Sequence, residues 1–325
     1  MSDLLKYHQW CISDSVLMPA YSEAIKRLVR PGDVLFDLGA GTGILGMLAC
    51  AAGAARVDAV DPSEIVALIP EIAAANGYSD RIVVHQMLSY DFQPSDRADI
   101  VIASMQGTAG IGNDLLRVAI DARERLLKPG GVLIPFSIQP SFSPVELPEW
   151  YASRIDCWNE SRLGLTFRSA RAYAVNRTTS LLVDKVAVLA APKSFPEIRF
   201  TSLATPNVAA ELTFDVERDG ILHALAGWAK VTTAEGVAGS SSPLEEKRMP
   251  WDHLILPMES PVPVHMGDRV QATIQVNMAG QQPVTQWNVR VREDVEFRHS
   301  SFRGMLLTKS DLEKAAAPRQ APQQV

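Results

Sequence analysis

Seven consecutive residues, Asp37-Leu38-Gly39-Ala40-Gly41-Thr42-Gly43, join an acid to three glycines at every second position. Glycine carries no Cβ, so such a run permits both a tight turn and the close approach of a ligand to main chain. The spacing is not the Gly-x-Gly-x-x-Gly of a dinucleotide site, and an acid directly before the glycines is a poor neighbour for a pyrophosphate. An uncharged nucleoside joined to an amino acid suits it better. Asp37 can hold an amino group, directly or through water, and Asp61 can accept hydrogen bonds from the hydroxyls of a free ribose diol. S-adenosylmethionine is such a molecule, and the expected contacts are Asp37, Gly39, Gly41, Gly43 and Asp61.

That chemistry needs a strand before the loop, a helix after it and a second strand ending in the acid. The apolar run 34–36 reads as a buried parallel strand, 44–52 as a helix and 56–60 as the second strand. A helix at 64–76, strands at 81–85 and 98–103, a long helix at 115–127 closed by Lys128-Pro129-Gly130-Gly131, and a strand at 132–135 follow. This alternation predicts an α/β fold, a Rossmann-like twisted parallel sheet over 33–138 with helices on both faces. Residues 1–32 read as helical up to the break at Pro31-Gly32. Beyond about residue 137 the helical periodicity thins, and alternating stretches at 223–231, 271–278 and 285–291 predict an antiparallel β-barrel-like domain over 139–308. The tail 309–325, rich in Ala, Pro and Gln, is predicted to be disordered.

The charge balance of 31 basic against 37 acidic residues, net −6, argues against a nucleic-acid partner gripped through its phosphates. It suits a small molecule or a basic peptide equally. Cys11, Cys50 and Cys157 have no paired or metal-like spacing and read as reduced thiols, with no metal site expected. No leader pattern and no apolar run of roughly 20 residues is seen, so a cytoplasmic protein without membrane contact is expected.

The glycine motif, within Val34-Leu35-Phe36-Asp37-Leu38-Gly39-Ala40-Gly41-Thr42-Gly43-Ile44, resembles the first motif of class I methyltransferases. The resemblance is in particular to the protein arginine methyltransferases, and it runs through most of the chain. His8, Asp14 and Tyr21 match that family's N-terminal helices, which lie over the glycine loop. Trp158-Asn159-Glu160-Ser161-Arg162-Leu163-Gly164 is similar to the start of its dimerisation arm, here near 150–172, and His223-Ala224-Leu225 and Met249-Pro250-Trp251 fall at barrel strands and a substrate-facing loop. The resemblance implies a homodimer, and a place for Ser89 near the adenine amino group with Met87 and Leu88 beside the ring. It also implies two glutamates after the fourth strand that pair with the acceptor guanidinium, but Ser104 and Asn113 occupy those positions. Leu17 stands where the family has an arginine for the cofactor carboxylate, and Pro250 where it has a histidine. A guanidinium buried against Ser and Asn alone would be an unpaired charge, at a cost of several kcal/mol.

Methyl transfer from a sulfonium is an in-line displacement that needs an aligned acceptor and a route for any proton lost. His8 and His253 are the candidate bases and Asp14 a group that orients one of them or caps a helix turn. Ser104, Gln106, Asn113 and Trp251 are candidates for the substrate side. The small loop Gly107-Thr108-Ala109-Gly110-Ile111-Gly112 reads as flexible and roomy, and Trp150, Tyr151 and Trp158 as rings for stacking or dimer packing. The expected function is methyl transfer to an oxygen or nitrogen of a small molecule or modified peptide, outside standard arginine methylation. The alternatives are an arginine methyltransferase with carboxylates from elsewhere, such as Asp114 or Glu146, and a non-catalytic adenosylmethionine-binding protein.

Overall fold

The computed structural model describes residues 4–105, 107–111, 114–279, 282–293 and 295–306. Gln106, Asn113 and the tail 309–325 lie outside the described residues. The chain starts with α1 (Leu4–Ile12), none of whose residues is buried, and α2 (Leu17–Leu28), which buries the stripe Leu17, Tyr21, Ala24 and Ile25 at helical spacing.

Strands β1 (Val34–Leu38), β2 (Arg56–Val60), β3 (Ile82–His85), β4 (Ala98–Ala103) and β5 (Leu127–Ile134) form a parallel sheet in the order β3-β2-β1-β4-β5. Leu35, Leu38, Val101 and Ile102 on the two central strands are fully buried, as parallel strands covered on both faces require. The helices α3 (Ile44–Ala52), α4 (Ile69–Ala75) and α5 (Leu115–Asp121) lie between the strands in sequence. The winding runs outward from β1 to β3 and then returns to β4 at the other side of β1. The loops after β1 and β4 therefore part from each other at a topological switch point, where open α/β sheets hold their ligands.

Two predicted helices are shorter than the pattern suggested. Residues 64–76 divide into a 3-10 turn, Glu64–Leu68, and α4, with Pro70 in the first turn, the one place a helix tolerates it. The helix at 115–127 gives way after Asp121 to one π-helical turn, Ala122–Leu126. Lys128-Pro129-Gly130-Gly131 is part of β5, where the pairing shifts register between Ala98 and Ile100 and Gly130 takes φ 79°.

The second part is antiparallel. One sheet is built on Ser137–Val145, Gly220–Ala234, His253–Val264 and Thr179–Leu181; the other contains Val208–Asp215, Arg269–Ala279, Gln282–Val291 and Val295–Ser300. Trp287 is fully buried, and its Nε1 donates to Pro257 O at 2.8 Å, tying the second sheet to the first. A single apolar cluster runs from Leu116 and Ile134 of the parallel domain to Phe142, Phe214 and Trp287 of the β domain, so the two pack as one body. The expected arm region carries α6 (Pro148–Arg154), the hairpin Ser161–Arg162 with Leu165–Thr166, and α7 (Arg171–Ala174). Leu163, Leu165 and Phe167 are exposed there. Arg171 anchors the base by donating to the Tyr151 hydroxyl at 3.0 Å and Glu259 O at 2.6 Å. No described helix is long and apolar enough to cross a membrane.

Gly227 lies so close to the Phe142 ring that a Cβ would overlap it. Gly227→Ala is expected to destabilise the protein by roughly 1–3 kcal/mol through overpacking. A lowered thermal midpoint with unchanged circular dichroism at room temperature is the expected readout, and an unchanged midpoint would contradict the tight Gly227–Phe142 contact.

Candidate active site

The glycine run leaves β1 with Gly39, Gly41 and Gly43 at φ 76°, 54° and 78°, a left-handed region that side chains resist. Space is as limiting as conformation. A Cβ on Gly39 would lie 2.7 Å from Met105 Cγ, and one on Gly41 would lie 2.6 Å from His8 Cε1. The loop is therefore packed between the segment after β4 and the helix α1. Gly39 N donates to Val60 O at 2.8 Å, which ties the loop to the end of β2.

Asp61 follows directly. Its Oδ2 accepts from Gly41 N at 3.0 Å, and its Oδ1 accepts from Ser63 N at 2.8 Å and Ser63 Oγ at 2.6 Å. A carboxylate has about four lone-pair sites, so the part-buried Asp61 keeps acceptor capacity for a diol.

Asp37 has a different place from the one expected. It is fully buried beneath the loop and does not line the cavity. Its Oδ2 accepts from Gly46 N at 3.0 Å, satisfying one of the free N–H groups in the first turn of α3, while Oδ1 has no partner. Burial pushes its carboxyl up to about 7, against the lowering by the Gly46 N–H, with Asp61 adding a smaller push upward. The acid thus holds the helix to the strand from beneath the loop, outside the cavity lining.

A cavity of about 860 Å³ extends from this loop toward the β domain. It is lined by His8 and Trp10 of α1, by Asp61, by Ser104 and Met105 after β4, and by Pro250, Trp251 and Asp252. Its carboxylates are Asp14, Asp61 and Asp252, and among the described residues no Lys or Arg lines it. His8 is part-buried over Gly41. Burial lowers its pKa below the ordinary value and Asp61 partly offsets this, so the ring is neutral near pH 7. Asp14 caps α2: its Oδ1 accepts from Val16 N and Leu17 N, each at 2.8 Å.

Several sequence-based candidates stand elsewhere. His253 is fully buried and does not line the cavity; its Nδ1 accepts from Val183 N at 2.9 Å and its Nε2 donates to Ser241 O at 2.7 Å. Both nitrogens are committed to main chain, so His253 straps two segments and is no base. Asp114 accepts from the Tyr90 hydroxyl at 2.8 Å and pairs with Arg117, and Glu146 is held by Arg218 at 2.7 Å and Ile221 N at 3.0 Å. Neither carboxylate lines the cavity. Leu88 and Ser89 do not line it either. Their turn is pinned by Arg125, which donates to Ser89 O at 2.8 Å and to Phe92 O and pairs with Asp121. Trp150, Tyr151 and Trp158 are absent from the cavity as well, and Tyr151 is spent on Met258 O and Glu259 O.

The small loop after β4 is tightly seated. Ala109, Gly110 and Ile111 are buried, and a Cβ on Gly110 would lie 2.9 Å from Ile138 Cδ1. Its small residues let main chain pack on the β domain, and Ala109 holds φ 53°, which is strained for a residue with a side chain. Sequence reading missed Tyr7, Trp10, Ser180 and Asp252, all of which line the cavity. The helical spacing of Leu4, Tyr7, His8 and Cys11 was the signal for α1 (one face turned to the site), whereas nothing local marks Ser180. Among the described residues no cluster of three or more His, Cys, Asp or Glu is arranged to hold a metal.

This fold and loop fit adenosylmethionine: a cradle that Cβ atoms would fill, an acid at the next strand end and a cavity beyond. Residues 22–138 match the family of ribosomal protein L11 methyltransferase (PrmA), and residues 142–298 match the arginine methyltransferase oligomerization subdomain. The chain is an S-adenosylmethionine-dependent methyltransferase of class I. Across both domains it is similar to protein arginine methyltransferases. It is 27% identical to protein arginine N-methyltransferase 6 of Xenopus laevis over 85% of this chain and 85% of that protein. A probable protein arginine N-methyltransferase 6 of Arabidopsis thaliana is 35% identical over 46% of this chain, and the match spans only 35% of that protein's length. In fold, a chain of the Trypanosoma brucei PRMT1 enzyme-prozyme heterotetrameric complex with AdoHcy superposes with TM-score 0.81 at 19% identity, over 90% of this chain and 97% of that one. Arabidopsis thaliana protein arginine methyltransferase 10 does so with TM-score 0.77, at 19% identity, over 91% and 97%.

Asp61→Ala is expected to weaken adenosylmethionine and S-adenosylhomocysteine by about 1–3 kcal/mol in calorimetric titration; equal affinities would remove Asp61 from the ribose role. For Asp37 the sign is set by a folded value of about 7 above the ordinary 3.8. Between those values the folded protein keeps a proton that the unfolded chain has released, so stability is lost as pH rises from about 4 to 7. The full difference is at most about 4 kcal/mol. Asp37→Asn is expected to flatten that slope in denaturant titrations at pH 4, 5.5 and 7, and parallel curves for the two proteins would refute it.

Proposed function

We propose that this enzyme methylates a cationic nitrogen, the guanidinium of an arginine side chain in a peptide or protein. The observation that carries the reading is the lining of the cavity: three carboxylates, aromatic rings and no Lys or Arg among its described residues. A cation entering it gains charge partners and the ring faces of Trp10 and Trp251. The names of the relatives support the same reading over the small-molecule acceptor expected from the rebuilt loop. The carboxylates differ from those anticipated, being Asp14 and Asp252 in place of Asp114 and Glu146.

Adenosylmethionine, when bound, supplies an electrophilic methyl on a positively charged sulfur. The chain's own residues do the rest. Asp61, at the rim of the glycine loop, accepts from the ribose hydroxyls. The first turn of α3, with Ile44 and Leu45 at the cavity and no side-chain cap on Gly43, offers N–H groups to a carboxylate. That would replace the arginine for which Leu17 stands. His8, neutral near pH 7, is the group that can take up a proton released by the acceptor. The exposed apolar hairpin at Leu163 and Leu165, with the match to an oligomerization subdomain, supports a homodimer.

Ser104, where the related enzymes are expected to have a glutamate, favours a second reading, transfer to a neutral oxygen or nitrogen of a smaller acceptor. Label transfer from methyl-labelled adenosylmethionine separates the two. A Gly/Arg-rich peptide is expected to take up label and its Arg→Lys counterpart to take up little. Label on small hydroxylated or amine acceptors, with none on the arginine peptide, would establish the second reading and reject the first.

A further inference from the structure

We infer that Asp14 is the carboxylate that receives the positive charge of the acceptor, from the α1–α2 corner of the cavity. This rests on the cationic-acceptor reading and adds to it a site and a direction of approach. Asp14 is 3% exposed and lines the cavity. Its Oδ1 is used twice over as the cap of α2, but its Oδ2, equally buried, has no hydrogen-bond partner. A buried carboxylate oxygen without a donor is costly, and a ligand N–H that meets it removes the penalty. Asp61 differs, because both its oxygens already accept, Oδ2 from Gly41 N and Oδ1 from Ser63 N.

The position of the corner selects the acceptor over the nucleoside. The residues that Asp14 caps, Val16 and Leu17, pack on the β domain: a Cβ on Gly239 would lie 3.2 Å from Val16 Cγ1, 3.3 Å from Met249 Sδ and 3.6 Å from Leu17 Cδ1. Thr233 Oγ1 donates to Ala20 O at 3.0 Å, fixing the same helix to the same wall. Met249, whose N donates to Ser240 O at 2.7 Å, leads directly into Pro250 and Trp251. Asp14 is thus set at the β-domain wall of the cavity, whereas His8 covers the glycine loop. Trp251 and Asp252 line the same cavity, a ring and a second acid suited to a guanidinium.

Asp14→Asn is the discriminating variant, because asparagine caps a helix about as well as aspartate and leaves the fold intact. The probe is a blocked Gly-Arg-Gly peptide against its citrulline counterpart, a neutral group of the same shape, titrated into enzyme saturated with S-adenosylhomocysteine. The wild type is expected to prefer the arginine peptide by tenfold or more. Asp14→Asn is expected to reduce that preference to within threefold, with S-adenosylhomocysteine affinity unchanged within twofold. Preference retained in the variant would overturn the role of Asp14 and leave the arginine reading standing. Loss of S-adenosylhomocysteine affinity in step with the peptide would overturn it too, assigning the oxygen to the cofactor's ammonium. A wild type without preference would reject the cationic acceptor, and the inference with it.

Discussion

The site depends on one feature of the sheet, the adjacency of β1 and β4. Because the chain winds away through β2 and β3 and returns to the opposite side of β1, the loops after these two strands separate and leave a crevice. The glycine run emerges from one strand and Met105 from the other, and they meet where Gly39 has no Cβ. The crevice cannot be widened or closed without moving strands whose Leu38 and Ile102 are fully buried. The acid Asp37, hidden under the turn and bonded to Gly46, makes the first turn of α3 part of that same rigid edge. Ligand geometry is in this way fixed by packed elements, with only α1, which buries none of its residues, laid over the top.

Much of this was legible in the chain. The alternation of apolar strands and helices, the glycine spacing and Asp61 are local signals, each within a few residues of the structure it makes. What failed was of another kind. Asp37 sits correctly in sequence, but whether its carboxylate faces a ligand or a helix N-terminus depends on a rotation about the end of β1 that no pattern encodes. His253 follows Trp251 closely, yet it opens a strand and turns to Ser241 O and Val183 N, partners that sequence does not bring near.

The cavity lining beyond the glycine loop was the least legible part because it is assembled from distant segments: Asp14 between two helices, Ser104 after β4, Ser180 on a short strand and Trp251 with Asp252 before a long one. Glycines near Ser104 were read as looseness. In the folded chain they allow main chain to lie on Ile138 and Ala229, so smallness there serves contact. The same composition supports both outcomes, and only the neighbour across the gap decides.

The absence of Lys and Arg from the cavity lining, among its described residues, has a consequence for the order of events. The methyl donor arrives with a positive sulfur and leaves without it. Three carboxylates and no balancing cation hold the charged form more strongly than the spent one, by the ordinary attraction of opposite charges. Transfer of the methyl group therefore removes part of the attraction that held the donor, and the spent molecule keeps only the contacts that do not depend on the charge of its sulfur.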